Sequence, residues 1–320
     1  MITRRTFFAG AAGLAMAATA VTGAAAFPTD TISIVVPYSP GATDTLARTL
    51  APELEKILGQ TILVETRPGA GGTVGANFVA NSAEADGHTL LFAVSSVQTV
   101  APHQRELPYA FDDLKPVARI TAGPNMMAAR TDAPFGTLEE LVAYAKANPG
   151  AVTFGSAGTG GATHLAGEAF ARAAGVELNH IPFEGVTPAV AATVGGTIDL
   201  VLGFASALMP QVAGGNLVAI AQFGDERASV VPDVTTLKEG GVDLSMPPNI
   251  GVWVPAETPD DVVATLEAAF EQAAASEAFQ QLARNSLTEV DFIGSEAFAQ
   301  ELAREDAFFA DLLAALGMVK

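Results

Sequence analysis

"PYSPGATDTLART" (Pro37–Thr49) follows the apolar run "ISIVV" and turns, through a few small or rigid residues, into an amphipathic pattern. Strand, short turn and helix together make the βα step of a sheet with parallel strands. "VTFGSAGTGGATHLAGEAF" (Val152–Phe170) repeats that design farther along the chain. Each unit ends in a helix N-terminus, where unpaired N–H groups and the positive end of the dipole favour an anion. Two such units can hold one ligand between them.

Apolar runs alternate with helical patterns on either side of these loops. "LARTLAPELEKIL" predicts a helix with Leu46, Leu50, Leu54 and Ile57 on one face. "TILVET" and "HTLLFAV" read as strands, with the helix "GTVGANFVANSA" between them. The theme returns with strand "GPNMMAART" and with a helix opened by Thr137 and Glu140, the spacing of a capping box. Strands "AVTFGSA", "LNHIPF", "IDLVLGFA" and "LVAIAQF" follow, with helices from about Thr163 and over "TPAVAATVGG". "GDERASVVPDVTTLKEGG" is turn-rich and reads as a crossing back, and "NIGVWVPA" is a further strand. Thr258 is expected to cap a helix with Pro259 at its first position, and the last sixty residues read as nearly all helical. The pattern fits a first domain over 27–124 plus 224–320, with a second domain inserted at 125–223.

The chain opens "MITRRTFFAGAAGLAMAATAVTGAAAF". An Arg pair, an Ala/Gly-rich apolar run and a small-residue site at Ala24–Ala26 read as a cleaved signal peptide over 1–26 of the twin-arginine type. Its 35 acidic residues against 16 basic ones give a net charge of −19, and loss of Arg4 and Arg5 would make the balance more negative. Such a field repels nucleic acid and anionic lipid. Cysteine is absent, which excludes disulfides and thiolate chemistry.

The remaining motifs nominate no catalytic centre. "GSAGTGGAT" puts Thr163 where a dinucleotide loop needs its third glycine, and no phosphate-loop motif occurs. A nucleophile elbow around Ser156 would need glycine at Phe154. His88, His103, His164 and His180 are scattered; His164 and Glu168 are one helical turn apart, but two ligands do not make a zinc site. What survives is anion capture by loop N–H groups, helped by the hydroxyls of Ser39, Thr43, Ser156 and Thr159. Only Arg48 and Arg67 lie near the loops, and Arg48 reads as the partner of Asp44. An acid is therefore expected to be held by dipoles, hydroxyls and bridging waters rather than by an arginine clamp.

"PTDTISIVVPYSPGATDTLART", "VETRPGAGGTVGANFVANSAEADGHTLLF", "SAGTGGATHLAGEAF" and "NHIPFEG" closely resemble the Bug family, the periplasmic solute receptors of tripartite tricarboxylate transporters. The likeness covers essentially all of the chain after the leader. It implies a type II-like periplasmic-binding-protein fold: two α/β domains, each a mixed, mainly parallel sheet flanked by helices, with a ligand cleft between them. It also implies a small di- or tricarboxylate as ligand and a membrane permease as partner; no cofactor and no metal are expected, and the protein is expected to be a monomer. The ligand-binding set carried onto this chain is Tyr38, Ser39, Gly41, Ala42, Thr43, Asp44, Ser95, Ser156, Gly158, Thr159, Gly160, Gly161, Ala162, His164, Phe183, Gly185 and Phe204. Ala42 stands where the family has a second glycine, and Glu184 where it often has lysine. The rival reading is a secreted hydrolase or sugar-acid enzyme on a similar two-domain frame.

Overall fold

The computed structural model describes residues 27–246 and 249–320; the signal peptide expected over 1–26 lies outside them. Two mixed sheets carry the fold. The first contains β1 (Ile32–Val36), β2 (Ile62–Thr66), β3 (Thr89–Val94), β4 (Leu114–Ala122), β10 (Asn249–Pro255) and β11 (Glu289–Gly294). Its order is β11-β4-β10-β3-β1-β2. The second contains β5 (Asn125–Arg130), β6 (Val152–Ser156), β7 (Leu178–Pro182), β8 (Leu200–Phe204) and β9 (Leu217–Gln222), ordered β7-β6-β8-β5-β9.

Parallel pairing, expected through most of each sheet, is confined to one half. It joins β1 to β2 and β3, and β6 to β7 and β8. The strands by which the chain crosses between sheets, β4, β5, β9 and β10, pair antiparallel. A direct crossing reverses chain direction, so these strands cannot join the parallel set.

Helices α1 (Ala42–Leu58), α2 (Thr73–Ser82), α3 (Ser96–Thr99) and α4 (Ala101–Gln104) belong to the first run of the chain. Helices α5 (Leu138–Ala147), α6 (Ala162–Ala174), α7 (Val186–Val194) and α8 (Ala205–Ala213) accompany the second sheet. Helices α9 (Asp260–Ala274), α10 (Glu277–Asn285) and α11 (Ser295–Ala315) end the chain. In α1 the stripe Leu46, Leu50 and Leu54 is buried against the first sheet, but Ile57 is exposed and Leu58 takes the next inward position. Thr137 caps α5 as expected, while Glu140 reaches back one residue farther, to the N–H of Gly136. Thr258 does not cap α9: Pro259 holds that position and the helix starts at Asp260. β11 interrupts the expected helical tail, and α8 lies between β8 and β9, where the sequence pattern names no helix.

The crossing from β4 to β5 takes only Gly123 and Pro124. After β9 the chain stays on the second core, to which Phe223, Leu237, Val242 and Leu244 contribute, before β10 returns to the first sheet. Helix α11 serves both sides. Phe298 and Leu302 pack with the first sheet, while Phe309, Leu312 and Leu313 enter the second core. Thus α11 straps the two domains along one side of the space between them.

Candidate functional site

A cavity of about 900 Å³ lies between the sheets, within the range of sites that enclose small molecules. Its wall takes Val94 and Ser95 from the end of β3, Ala122 from the end of β4 and Gln222 from the end of β9. Asn125, Asn249 and Glu289 contribute from the starts of the antiparallel strands β5, β10 and β11. Both kinds of strand end face the same gap because antiparallel neighbours reverse which terminus points there.

Of the expected ligand contacts, the structure brings Ser95, Gly160, Gly161 and Ala162 onto this wall. The first loop stands apart. Tyr38 is tucked behind the wall, where its hydroxyl accepts the Val94 N–H at 3.3 Å and burial pushes its pKa up to about 12. Ser39, Gly41 and Ala42 are exposed, Thr43 is half-buried, and none of residues 38–44 lines the cavity. Asp44 is buried and accepts from Arg48 Nε with both oxygens at 3.0 Å, so it is an ion-pair partner, with no capping bond. The reason is position: β1 is one strand from the far edge of its sheet, whereas the cavity gathers around β3, β10 and β4.

The second loop is closer and heavily self-bonded. Ser156 Oγ, fully buried, lies 2.7 Å from His180 Nε2 and accepts the Gly158 N–H at 3.2 Å. His164 is buried too, and its Nδ1 accepts the Gly160 N–H at 3.0 Å. The Gly161 N–H bonds to the Gly158 carbonyl. Of the five N–H groups from Gly158 to Ala162, three are therefore already engaged. His164 and His180 stack at 3.8 Å between ring centroids. Burial, reinforced by the neighbouring His164, lowers the His180 pKa to about 4 and keeps the ring neutral. Gly158 and Gly160, at φ 124° and 77°, adopt conformations that side chains disfavour. Thr159, Phe183, Gly185 and Phe204 lie outside the wall, as does the exposed Glu184.

Sequence reasoning missed the charged half of the cavity. Glu301, Arg304, Glu305 and Phe308 all line it, spaced at i, i+3, i+4 and i+7 on α11, one helical face. Arg119 donates to both Glu301 oxygens at 2.7 and 2.6 Å and to Asp291 at 2.6 Å. Glu305 accepts from Ser95 Oγ at 2.7 Å, Thr99 Oγ1 at 3.0 Å and Asn249 Nδ2 at 3.3 Å. Arg105 and Arg304 also line the cavity and have no ion-pair partner among the described residues. Arg67, by contrast, pairs with Glu65, sits 3.6 Å over the Phe78 ring and does not line the wall. Sequence reasoning named only Arg48 and Arg67 near the loops; tertiary folding brings Arg105 and Arg304 to the wall from sequence-distant segments. Gln104, next to Arg105, ties the domains together by donating to the Gly160 carbonyl at 2.8 Å.

Two α/β domains with a cavity between them, joined by one short crossing, one long return and the α11 strap, define a two-domain binding protein. The model of the tripartite tricarboxylate transporter family receptor matches residues 46–315, and the chain belongs to that family. Protein BugT of Bordetella pertussis is 33% identical over 276 residues, covering 85% of this chain and 83% of that one. A TctC solute binding protein from Polaromonas, solved with no ligand, superposes with a TM-score of 0.84 at 30% identity, covering 90% of this chain and 99% of its own. MatC from Rhodopseudomonas palustris, solved with bound malate, gives a TM-score of 0.70 at 30% identity, covering 90% and 100%.

Proposed function

We propose that this protein is a periplasmic receptor that captures a small organic acid in the interdomain cavity and delivers it to a tripartite transporter permease. The observation that carries the reading is a pair of guanidiniums, Arg105 and Arg304, without an ion-pair partner among the described residues, on a wall that also holds Gly160–Ala162 at the start of α6. Free cations beside a helix N-terminus suit a carboxylate. Malate bound in MatC supports the same ligand class. The hydrolase alternative finds little support: Ser156 is fully buried, its partner His180 is half-buried, and neither lines the cavity. We also place the domain boundaries near 124 and 224 and regard the receptor as a monomer whose domains close on the ligand.

A thermal-shift panel of carboxylates tests capture, with native mass spectrometry to read what is bound. An unaltered acid that raises the melting temperature supports a receptor. No response to any acid would contradict it, and release of a cleaved product would favour the hydrolase. Export is tested separately by changing Arg4 and Arg5 to Lys. Retention of the precursor inside the cell is expected, and normal periplasmic accumulation would point to general secretion instead.

A further inference from the structure

The cavity wall carries six carboxylates against four guanidiniums. Pairing with neighbours uses up part of each set: Arg119 serves Glu301 and Asp291, Arg227 pairs with Glu239, and Asp225 pairs with Lys238. Glu226, Glu289 and Glu305 are left without a basic partner among the described residues. A ligand with a second or third carboxylate would add like charge to that wall.

A second observation concerns hydrogen bonding. Asn125 and Asn249 are 4% and 2% exposed and line the cavity, and the side-chain oxygen of each is buried without a donor. The orientation of Asn249 is fixed by its surroundings. Its Nδ2 donates to Glu301 at 2.7 Å and to Glu305 at 3.3 Å. Flipping the amide would set its oxygen against two carboxylates. A buried acceptor without a donor is costly, so what is missing at Asn249 is a donor, whereas the Asn125 amide makes no side-chain hydrogen bond among the described residues and can present either group.

We propose that the cavity selects an amphoteric ligand with one carboxylate and one cationic nitrogen. The nitrogen docks against Asn249 Oδ1 and Glu305, and the carboxylate is held by Arg105 and Arg304. This narrows, and rests on, the organic-acid receptor reading above. Burial pushes the Glu305 pKa up to about 7 in spite of bonds from Ser95, Thr99 and Asn249, with Glu301 adding to the rise. The charges around it are Glu301 and Arg304 on its own helix, Arg119 on β4 and Asp291 on β11. A cationic group favours ionised Glu305, so affinity for an amine ligand should rise as pH passes upward through about 7.

Calorimetry with three six-carbon probes tests the proposal: hexanoate, adipate and 6-aminohexanoate, which differ in one terminal group. The matching four-carbon set (butanoate, succinate and 4-aminobutanoate) covers the shorter span. In the unaltered protein the amino acid of the set that binds should exceed its dicarboxylate by about tenfold or more, and be tighter at pH 8 than at pH 6. Glu305→Gln should bring that ratio to within about threefold and remove the pH dependence. The ranking in the unaltered protein decides, so the outcome does not depend on how well the variant folds. A dicarboxylate that binds as tightly as the amino acid, or tighter, overturns the proposal and leaves the receptor reading standing. If no probe of either set binds while another acid of the thermal-shift panel does, the proposal falls and the receptor reading stands; if no acid binds at all, both fall.

Discussion

The loops Pro37–Asp44 and Ser156–His164 look alike in sequence and differ in what the fold makes of them. Both follow a buried strand, both are rich in small residues, and both open a helix. The first is exposed over Ser39–Ala42 and misses the cavity, while the second rests on the buried Ser156 and His164, with the half-buried His180 stacked beside them, and puts Gly160–Ala162 on the wall. Local sequence set the shape of each turn. Strand order decided which turn faces the cavity.

The sharpest way to break this comparison is a matched pair of serines. Ser156→Ala removes the partner of His180 and the acceptor for Gly158. It should cost about 1–3 kcal/mol in urea unfolding, because buried polar groups are left unpaired. Ser39→Ala, at an exposed position, should stay within about 0.5 kcal/mol. Equal effects would mean that the second loop is no more ordered than the first.

Acid titration sharpens the same contrast. His180 has a folded pKa of about 4 against the ordinary 6.5, so the unfolded chain binds the proton more readily between those values. Its contribution to stability is complete above pH 6.5 and is lost as pH falls toward 4. The unfolding midpoint should drop over that window, and His180→Gln should flatten the drop relative to the parent protein. An unchanged profile in the variant would show that the stacked pair does not govern acid stability.

The smallest effect concerns Thr159, whose hydroxyl sequence reasoning offers as a ligand donor. A hydrogen bond to a charged ligand would cost roughly 1.5–3 kcal/mol when lost. Thr159 is exposed and off the cavity wall, so Thr159→Val should change carboxylate affinity by less than about twofold. A tenfold loss in calorimetry would place the site on the outer face of the loop.

Much of the fold was legible because alternating strand and helix periods survive in the chain, and "ISIVV" or "VTFGS" can hardly be anything but buried strands. The omissions have physical causes. Strand β11 sits at a sheet edge with every residue half-buried, so no alternation marks it. Helix α8 follows β8 without a polar break, and Pro210 lies within it. Of the site, the glycines and Ser95 were visible. Arg105, Asn125, Asn249, Arg304 and Glu305 were not, since they share no motif and meet only through strand order and the α11 strap. A rule that looks only at carboxyl ends of parallel strands also passes over Asn125 and Asn249, which begin antiparallel ones.

The central claim is that the ligand lies between the second loop and α11, away from the first loop. Hydrogen–deuterium exchange, with and without the tightest acid from the panel, tests it directly. Protection is expected over 160–165, 94–105, 122–125 and 301–309, with residues 38–45 unchanged. Protection of 38–45 with none along 301–309 would contradict the account and return the site to the first loop.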